Sequence, residues 1–167
     1  MDEPLIIVGH SEKIIGQGKG SLIDSFSTII RMNRAVPLSH AKDLGKRTDI
    51  LFLSVLLSSQ EIAAFAPHEV VWATPRDRTG IPLDFSVYNL QHWDELSGSL
   101  GGKRPSTGLM AIDWAIRQKK AHPYIIGFDG FETKTWYRDS QTTPHDGKAE
   151  KRWIYDQQLN GKLSVLD

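Results

Sequence analysis

Short apolar runs bounded by turn-forming residues recur along this chain, at Leu5–Val8, Thr28–Met32, Ile50–Leu53, Val70–Ala73 and Tyr124–Gly127. Each has strand length and is rich in β-branched or large apolar residues, which predicts strands buried on both faces, as in a parallel sheet. Between them the spacing turns helical, at Ser21–Ser25, Val55–Ala64 and Leu109–Lys120. A last helix is predicted from about Pro144 to the pair Asn160-Gly161, a good C-cap. This alternation predicts an α/β fold with helices on both faces of the sheet. The stretch from Pro75 to Lys103 is the least regular, and Ser97-Gly98-Ser99-Leu100-Gly101-Gly102 reads as a flexible loop.

One helix start carries the strongest chemical signal. In Arg104-Pro105-Ser106-Thr107-Gly108-Leu109-Met110, Ser106 is a good N-cap and Leu109, Ile112, Ala115 and Ile116 mark a buried stripe. Gly108 is expected to let a ligand approach the backbone. Free N–H groups, two hydroxyls and the positive end of the helix dipole together make an anion site, for a phosphate or a carboxylate. The alternative is an ordinary capped core helix.

Glycines follow the first strand in Val8-Gly9-His10-Ser11 and again at Gly16, Gly18 and Gly20. Such glycines point to a nucleotide near the backbone. Their spacing fits neither the dinucleotide fingerprint nor the P-loop. Asn33, between Arg31 and Arg34, ends the second strand, where a side-chain amide can reach a ribose or phosphate. Asp43, Arg47 and Asp49 read as structural partners of one another. His145 follows Thr143-Pro144, which predicts a place in the first turn of the last helix, where the dipole favours neutral imidazole. A neutral imidazole near pH 7 suits a general base. Glu150, five residues on, need not face the same substrate and reads as a structural tie.

Composition narrows the field. At 167 residues the chain is expected to form a single domain, residues 1–167, with a core of its own. Lys plus Arg equals Asp plus Glu at 20 each, so no net positive field favours nucleic acid. The absence of cysteine excludes disulfides, Fe–S clusters and thiolate zinc sites, and fits a reducing compartment. No metal-site motif occurs either. The acidic start and its four-residue apolar run match neither a signal peptide nor a transmembrane segment. The expected location is cytoplasmic.

Taken in order, three segments resemble the sialyltransferases of glycosyltransferase family 29. Val8-Gly9-His10-Ser11 to Ile23-Asp24, with Arg31-Met32-Asn33-Arg34-Ala35-Val36-Pro37 and Asp43-Leu44-Gly45-Lys46-Arg47-Thr48, is similar to the family's long donor-binding motif. Pro105-Ser106-Thr107-Gly108 to Ile125-Ile126-Gly127-Phe128 is similar to its short motif, and His145-Asp146-Gly147-Lys148-Ala149-Glu150 to its H-x-x-x-x-E element. Trp136-Tyr137-Arg138-Asp139 faintly resembles the remaining small motif.

The resemblance implies a single Rossmann-like domain of the metal-independent kind, with no cofactor. Its donor would be CMP-sialic acid, and its acceptor a glycan or glycolipid. It further implies that Ser106, Thr107 and Gly108 bind the donor's carboxylate and phosphate. Gly9, His10, Ser11 and Asn33 would hold the CMP phosphate and ribose, and Gly127 and Asp129 would lie near the cytosine. His145 would deprotonate an acceptor hydroxyl that attacks and inverts the anomeric carbon.

The chain departs from the family pattern in several ways. It lacks the usual disulfide between motifs, has His10 where asparagine is usual and Trp136 where histidine is usual, and has His145 only 18 positions after Gly127. A minimal bacterial- or viral-like member would have this form. CMP-Kdo shares the α-keto acid carboxylate and CMP activation, so it is an alternative donor. A non-catalytic CMP-sugar-binding module is an alternative to an enzyme. A third, suggested by the glycines, is another nucleotide enzyme.

Overall fold

The computed structural model describes residues 3–137 and 143–166. Seven strands form one sheet: β1 (Leu5–Val8), β2 (Thr28–Met32), β3 (Ile50–Leu53), β4 (Glu69–Trp72), β5 (Ser86–Val87), β6 (Tyr124–Ile126) and β7 (Ser164–Val165). Every neighbouring pair is parallel, in the order β5-β4-β3-β2-β1-β6-β7. The helices are α1 (Gly20–Asp24), α2 (Ala41–Leu44), α3 (Ser59–Phe65), α4 (Leu90–Ser99), α5 (Thr107–Arg117) and α6 (Gly147–Leu159). None of them is long and apolar enough to cross a membrane.

The continuous apolar character of the strands has a direct cause. On one face Ile7, Ile30, Met32, Phe52 and Val71 pack with Leu96 of α4, Leu109, Ile112 and Trp114 of α5, and Trp153 of α6. On the other face Ile6, Val8 and Ile29 meet Ile23 of α1 and Leu44 of α2, while Leu51, Leu53 and Trp72 meet Phe65 of α3. With both pleated faces covered, polar alternation has no place.

Arg31 is the exception, since it is a buried cation within a strand. Its guanidinium donates to the carbonyls of Leu44 (2.7 Å) and Arg47 (2.9 Å), and burial lowers its pKa to about 10 against the pull of Asp24 and Asp49. Arg31 therefore braces α2 and does not flank a ligand. Arg34 is exposed and pairs with Glu61 at 3.4 Å. Arg47 pairs with Asp49 as expected, at 3.1 Å, whereas Asp43 instead accepts the Gly18 N–H at 2.8 Å.

Four sequence expectations change. Ser97–Gly102 is not a flexible loop throughout, because Leu90–Ser99 is helical, capped by Asn89 and held by buried Leu96. The short edge strands β5 and β7 were not expected. The helix predicted from Val55 starts instead at Ser59, where Ser58 and Glu61 form a capping box. The last helix starts at Gly147 with Asp146 as its N-cap, beyond Thr143-Pro144.

Strands β2 to β5 extend the sheet to one side of β1, and β6 and β7 extend it to the other. This reversal opens a crevice at the carboxyl ends of β1 and β6. Gly9 and Gly127 meet there: the Gly9 N–H donates to Ile126 at 2.7 Å, and Gly127 has φ +78°. A Cβ on Gly9 would overlap the Gly127 carbonyl. We expect Gly9→Ala to lower the unfolding free energy by about 2 kcal/mol, as overpacking does. Thermal denaturation checks this against Gly98→Ala, where a Cβ would meet nothing within 4 Å.

Candidate active site

A cavity of about 310 Å³ opens over this crevice, and its walls include Gly9, His10, Ser11, Asn33, Ser106, Thr107, Gly108, Gly127, Asp129 and His145. All the site residues expected from sequence thus come together. Gly16 and Gly18 do not line it. Gly20 packs against the backbone of Ala41 and Lys42, so that part of the glycine pattern serves helix packing.

The β1–β6 end is organised by one carboxylate. Asp129 Oδ2 accepts from Ser11 Oγ (3.1 Å), Thr133 N (3.1 Å) and Thr133 Oγ1 (2.6 Å). These bonds fold the segment after β6 back over β1, where Ser11 bridges Thr135 and Trp136 N donates to the His10 carbonyl at 3.0 Å. His10 Nδ1 lies 3.1 Å from the Tyr137 hydroxyl. The Trp136 ring stands edge-on to His40 and joins the apolar cluster under β1. Arg138 and Asp139, the rest of that small motif, lie outside the described residues.

The start of α5 supplies the middle of the cavity. Ser106 Oγ accepts the Leu109 N–H at 3.2 Å, so it is the N-cap expected from sequence. It is also gripped by Glu150, which accepts the Ser106 N–H (2.7 Å) and hydroxyl (2.6 Å). Burial raises the Glu150 pKa, and the two Ser106 bonds only partly oppose that rise. Glu150 is therefore a structural tie between α5 and α6. Among the described residues the Thr107 and Gly108 N–H groups meet no acceptor, so they are the donors left for an anion. Gly108 also meets a packing constraint that the sequence does not show: a Cβ there would lie 2.6 Å from Cε1 of Phe128.

His145 stands just before the α6 N-cap, not within the first turn. Its Nδ1 is 3.0 Å from the Arg104 carbonyl. A carbonyl can only accept, so Nδ1 carries the proton and Nε2 keeps the lone pair. Its ring stacks on Phe131 at 5.7 Å, and Phe131 itself sits at φ +62°. Burial lowers the His145 pKa, helped by the Arg104 charge and opposed by the bond to the Arg104 carbonyl. Neutral imidazole is favoured as expected, but burial is the main cause.

Comparison with known proteins identifies the pattern. The sequence profile of glycosyltransferase family 29 (sialyltransferase) matches residues 5–64. The chain is 23% identical over 180 aligned positions to CMP-N-acetylneuraminate-beta-galactosamide-alpha-2,3-sialyltransferase 2 of Mus musculus, covering 90% of this chain and 50% of that protein. The chain is similar in sequence to the family 29 sialyltransferases. It spans about half the length of the mouse relative.

The fold is also that of solved sialyltransferases. A mammalian sialyltransferase in complex with Gal-beta-1-3GalNAc-ortho-nitrophenol superposes with a TM-score of 0.72 at 17% identity, covering 98% of this chain and 69% of that one. Sialyltransferase CstII from Campylobacter jejuni, in complex with the substrate analogue CMP-3FNeuAc, superposes with a TM-score of 0.67 at 12% identity, covering 99% and 81%. The family 29 match contains Gly9, His10, Ser11 and Asn33, whereas Ser106 to Gly108 and His145 lie beyond it and reach the same cavity through the fold. Sequence reading missed Ser54, Thr133 and Phe131, which also line the cavity. Ser54 directly follows β3, and the rule that ligands lie at strand carboxyl ends could have found it.

Proposed function

We propose that this chain transfers sialic acid from CMP-sialic acid to a glycan hydroxyl, with inversion, without a metal ion and with His145 as general base. The observation that carries this reading is that His145, with Nδ1–H held by the Arg104 carbonyl, shares a cavity with the open N–H groups at the start of α5. The nucleotide lies over Gly9 and Gly127 at the crevice, and its phosphate and the sugar carboxylate face α5. The acceptor hydroxyl gives its proton to Nε2 of His145 while its oxygen bonds to the anomeric carbon from the face opposite CMP. The bond from that carbon to the phosphate oxygen breaks through an oxocarbenium-like state, and CMP leaves with the electron pair. The dipole and N–H groups of α5 stabilise the charge that grows on the phosphate.

Incubation with CMP-sialic acid and a galactosyl acceptor in EDTA is expected to release CMP and form sialylated product. CMP-Kdo run in parallel tests the alternative donor. CMP binding without transfer or donor hydrolysis would overturn the transferase reading in favour of a CMP-sugar-binding module. The base must be neutral to act, and its pKa is lowered from the ordinary 6.5. Activity is therefore expected to fall on the acid side only as pH drops through a midpoint below 6.5. A midpoint above 6.5 in the kcat/KM profile would contradict His145 as the base.

A further inference from the structure

Three side chains, from the residues just after β2 and β3 and from the start of α5, close a hydrogen-bonded ring at the β2–β3 end of the cavity. Asn33 Nδ2 donates to Thr107 Oγ1 at 3.3 Å, Thr107 Oγ1 donates to Ser54 Oγ at 2.7 Å, and Ser54 Oγ donates to Asn33 Oδ1 at 3.3 Å. The Ser54 N–H adds a second bond to Asn33 Oδ1, at 2.9 Å. Asn33 enters this ring from φ +51°, a conformation that asparagine tolerates better than most residues. Each hydroxyl has a single hydrogen, and both hydrogens are engaged inside the ring. The ring's one remaining side-chain donor is the second N–H of the Asn33 amide. An oxyanion can receive the Thr107 hydroxyl only if that hydroxyl turns away from Ser54.

We propose that Ser54 is the positioning residue of the donor site. It fixes the direction of the Asn33 amide through two bonds, and it accepts the Thr107 hydroxyl so that both partners are aligned before the donor arrives. This inference rests on the donor-site reading above, and Ser54 acts through its two neighbours. Without its hydroxyl, Thr107 turns freely and the Asn33 carbonyl keeps only a backbone bond. Alignment must then be regained on binding, at an entropic cost.

Calorimetric titration with CMP tests the idea. Ser54→Ala is expected to weaken CMP binding about tenfold, the order of one lost hydrogen bond. Ser54→Thr, which restores the hydroxyl, should stay within about threefold of wild type on the same scale. Thr107→Val opens the ring from the other side, so Ser54→Ala added to it should cost less than about twofold more, because coupled residues are not additive. Wild-type affinity in Ser54→Ala, no recovery in Ser54→Thr, or full additivity with Thr107→Val would each overturn the proposal. Wild-type protein that binds CMP but transfers no ulosonate would overturn the proposed function and leave this test standing. Wild-type protein that does not bind CMP would overturn both.

Discussion

His145→Ala is expected to lower kcat by about 10²–10⁴-fold, the usual contribution of a positioned general base. The CMP dissociation constant should change by less than about threefold, because the proposed anion site is at the start of α5 and not at His145. The expectation follows from the ring's surroundings. Nδ1 is tied to the Arg104 carbonyl, one face stacks on Phe131, and burial disfavours the charged form. These constraints leave one nitrogen with a free lone pair in a cavity shared with the α5 start.

His145→Gln separates proton transfer from positioning, since an amide can still donate to the Arg104 carbonyl but cannot take a proton near pH 7. Steady-state transfer rates should be equally low for both variants. If CMP affinity fell as far as turnover in either, His145 would belong to the donor site and the base would have to be sought elsewhere.

Glu150→Ala is expected to lower the unfolding free energy by about 3 kcal/mol, because it leaves the Ser106 amide and hydroxyl buried without acceptors. Ser106 is 7% exposed and Glu150 4%, so water does not readily replace the carboxylate. For a domain of this size the melting temperature should drop by about 6–12 °C. Glu150→Gln should lie between wild type and alanine, since an amide oxygen still accepts one of the two bonds.

The two forms also differ in pH dependence. Burial raises the Glu150 pKa from its ordinary 4.5, so the unfolded chain loses this proton first. The proton-linked part of the carboxyl's contribution to stability is therefore full below 4.5 and is lost as pH rises through the raised folded value, whereas its role as acceptor for Ser106 remains. Glu150→Gln should lack that slope in denaturant titrations across the same range. An alanine variant as stable as wild type would mean that the two helix starts are held together by packing alone.

The hydrophobic pattern alone carried most of the sheet. Leu5–Val8, Thr28–Met32 and Ile50–Leu53 are strands at the expected bounds, because both faces of each are buried and the local sequence therefore carries an apolar run, interrupted only by Thr28 and Arg31 in the second. β5 and β7 have two residues each, too few for a pattern to register. α4 was missed because Ser97, Gly98 and Ser99 have turn-like composition. Its helical form depends on the Asn89 cap, on Leu96 against the core and on the Ser97 hydroxyl bonded to the Lys103 carbonyl. Tertiary packing overrides weak propensity there.

Residue identity and order determined the N-cap at Ser106, the residues of the candidate site and the likeness to family 29, because caps and motifs are local in sequence. Only the tertiary structure decided what each side chain is free to do. Glu150 grips Ser106, Phe128 packs close against Gly108, Arg31 turns inward to brace α2, and Asn33, Ser54 and Thr107 share their hydrogens. These partners are separated in sequence by between 13 and 74 positions where a hydrogen bond joins them. Hydrogen-bond capacity and burial depend on which distant groups the fold brings within about 3 Å, which no local pattern records.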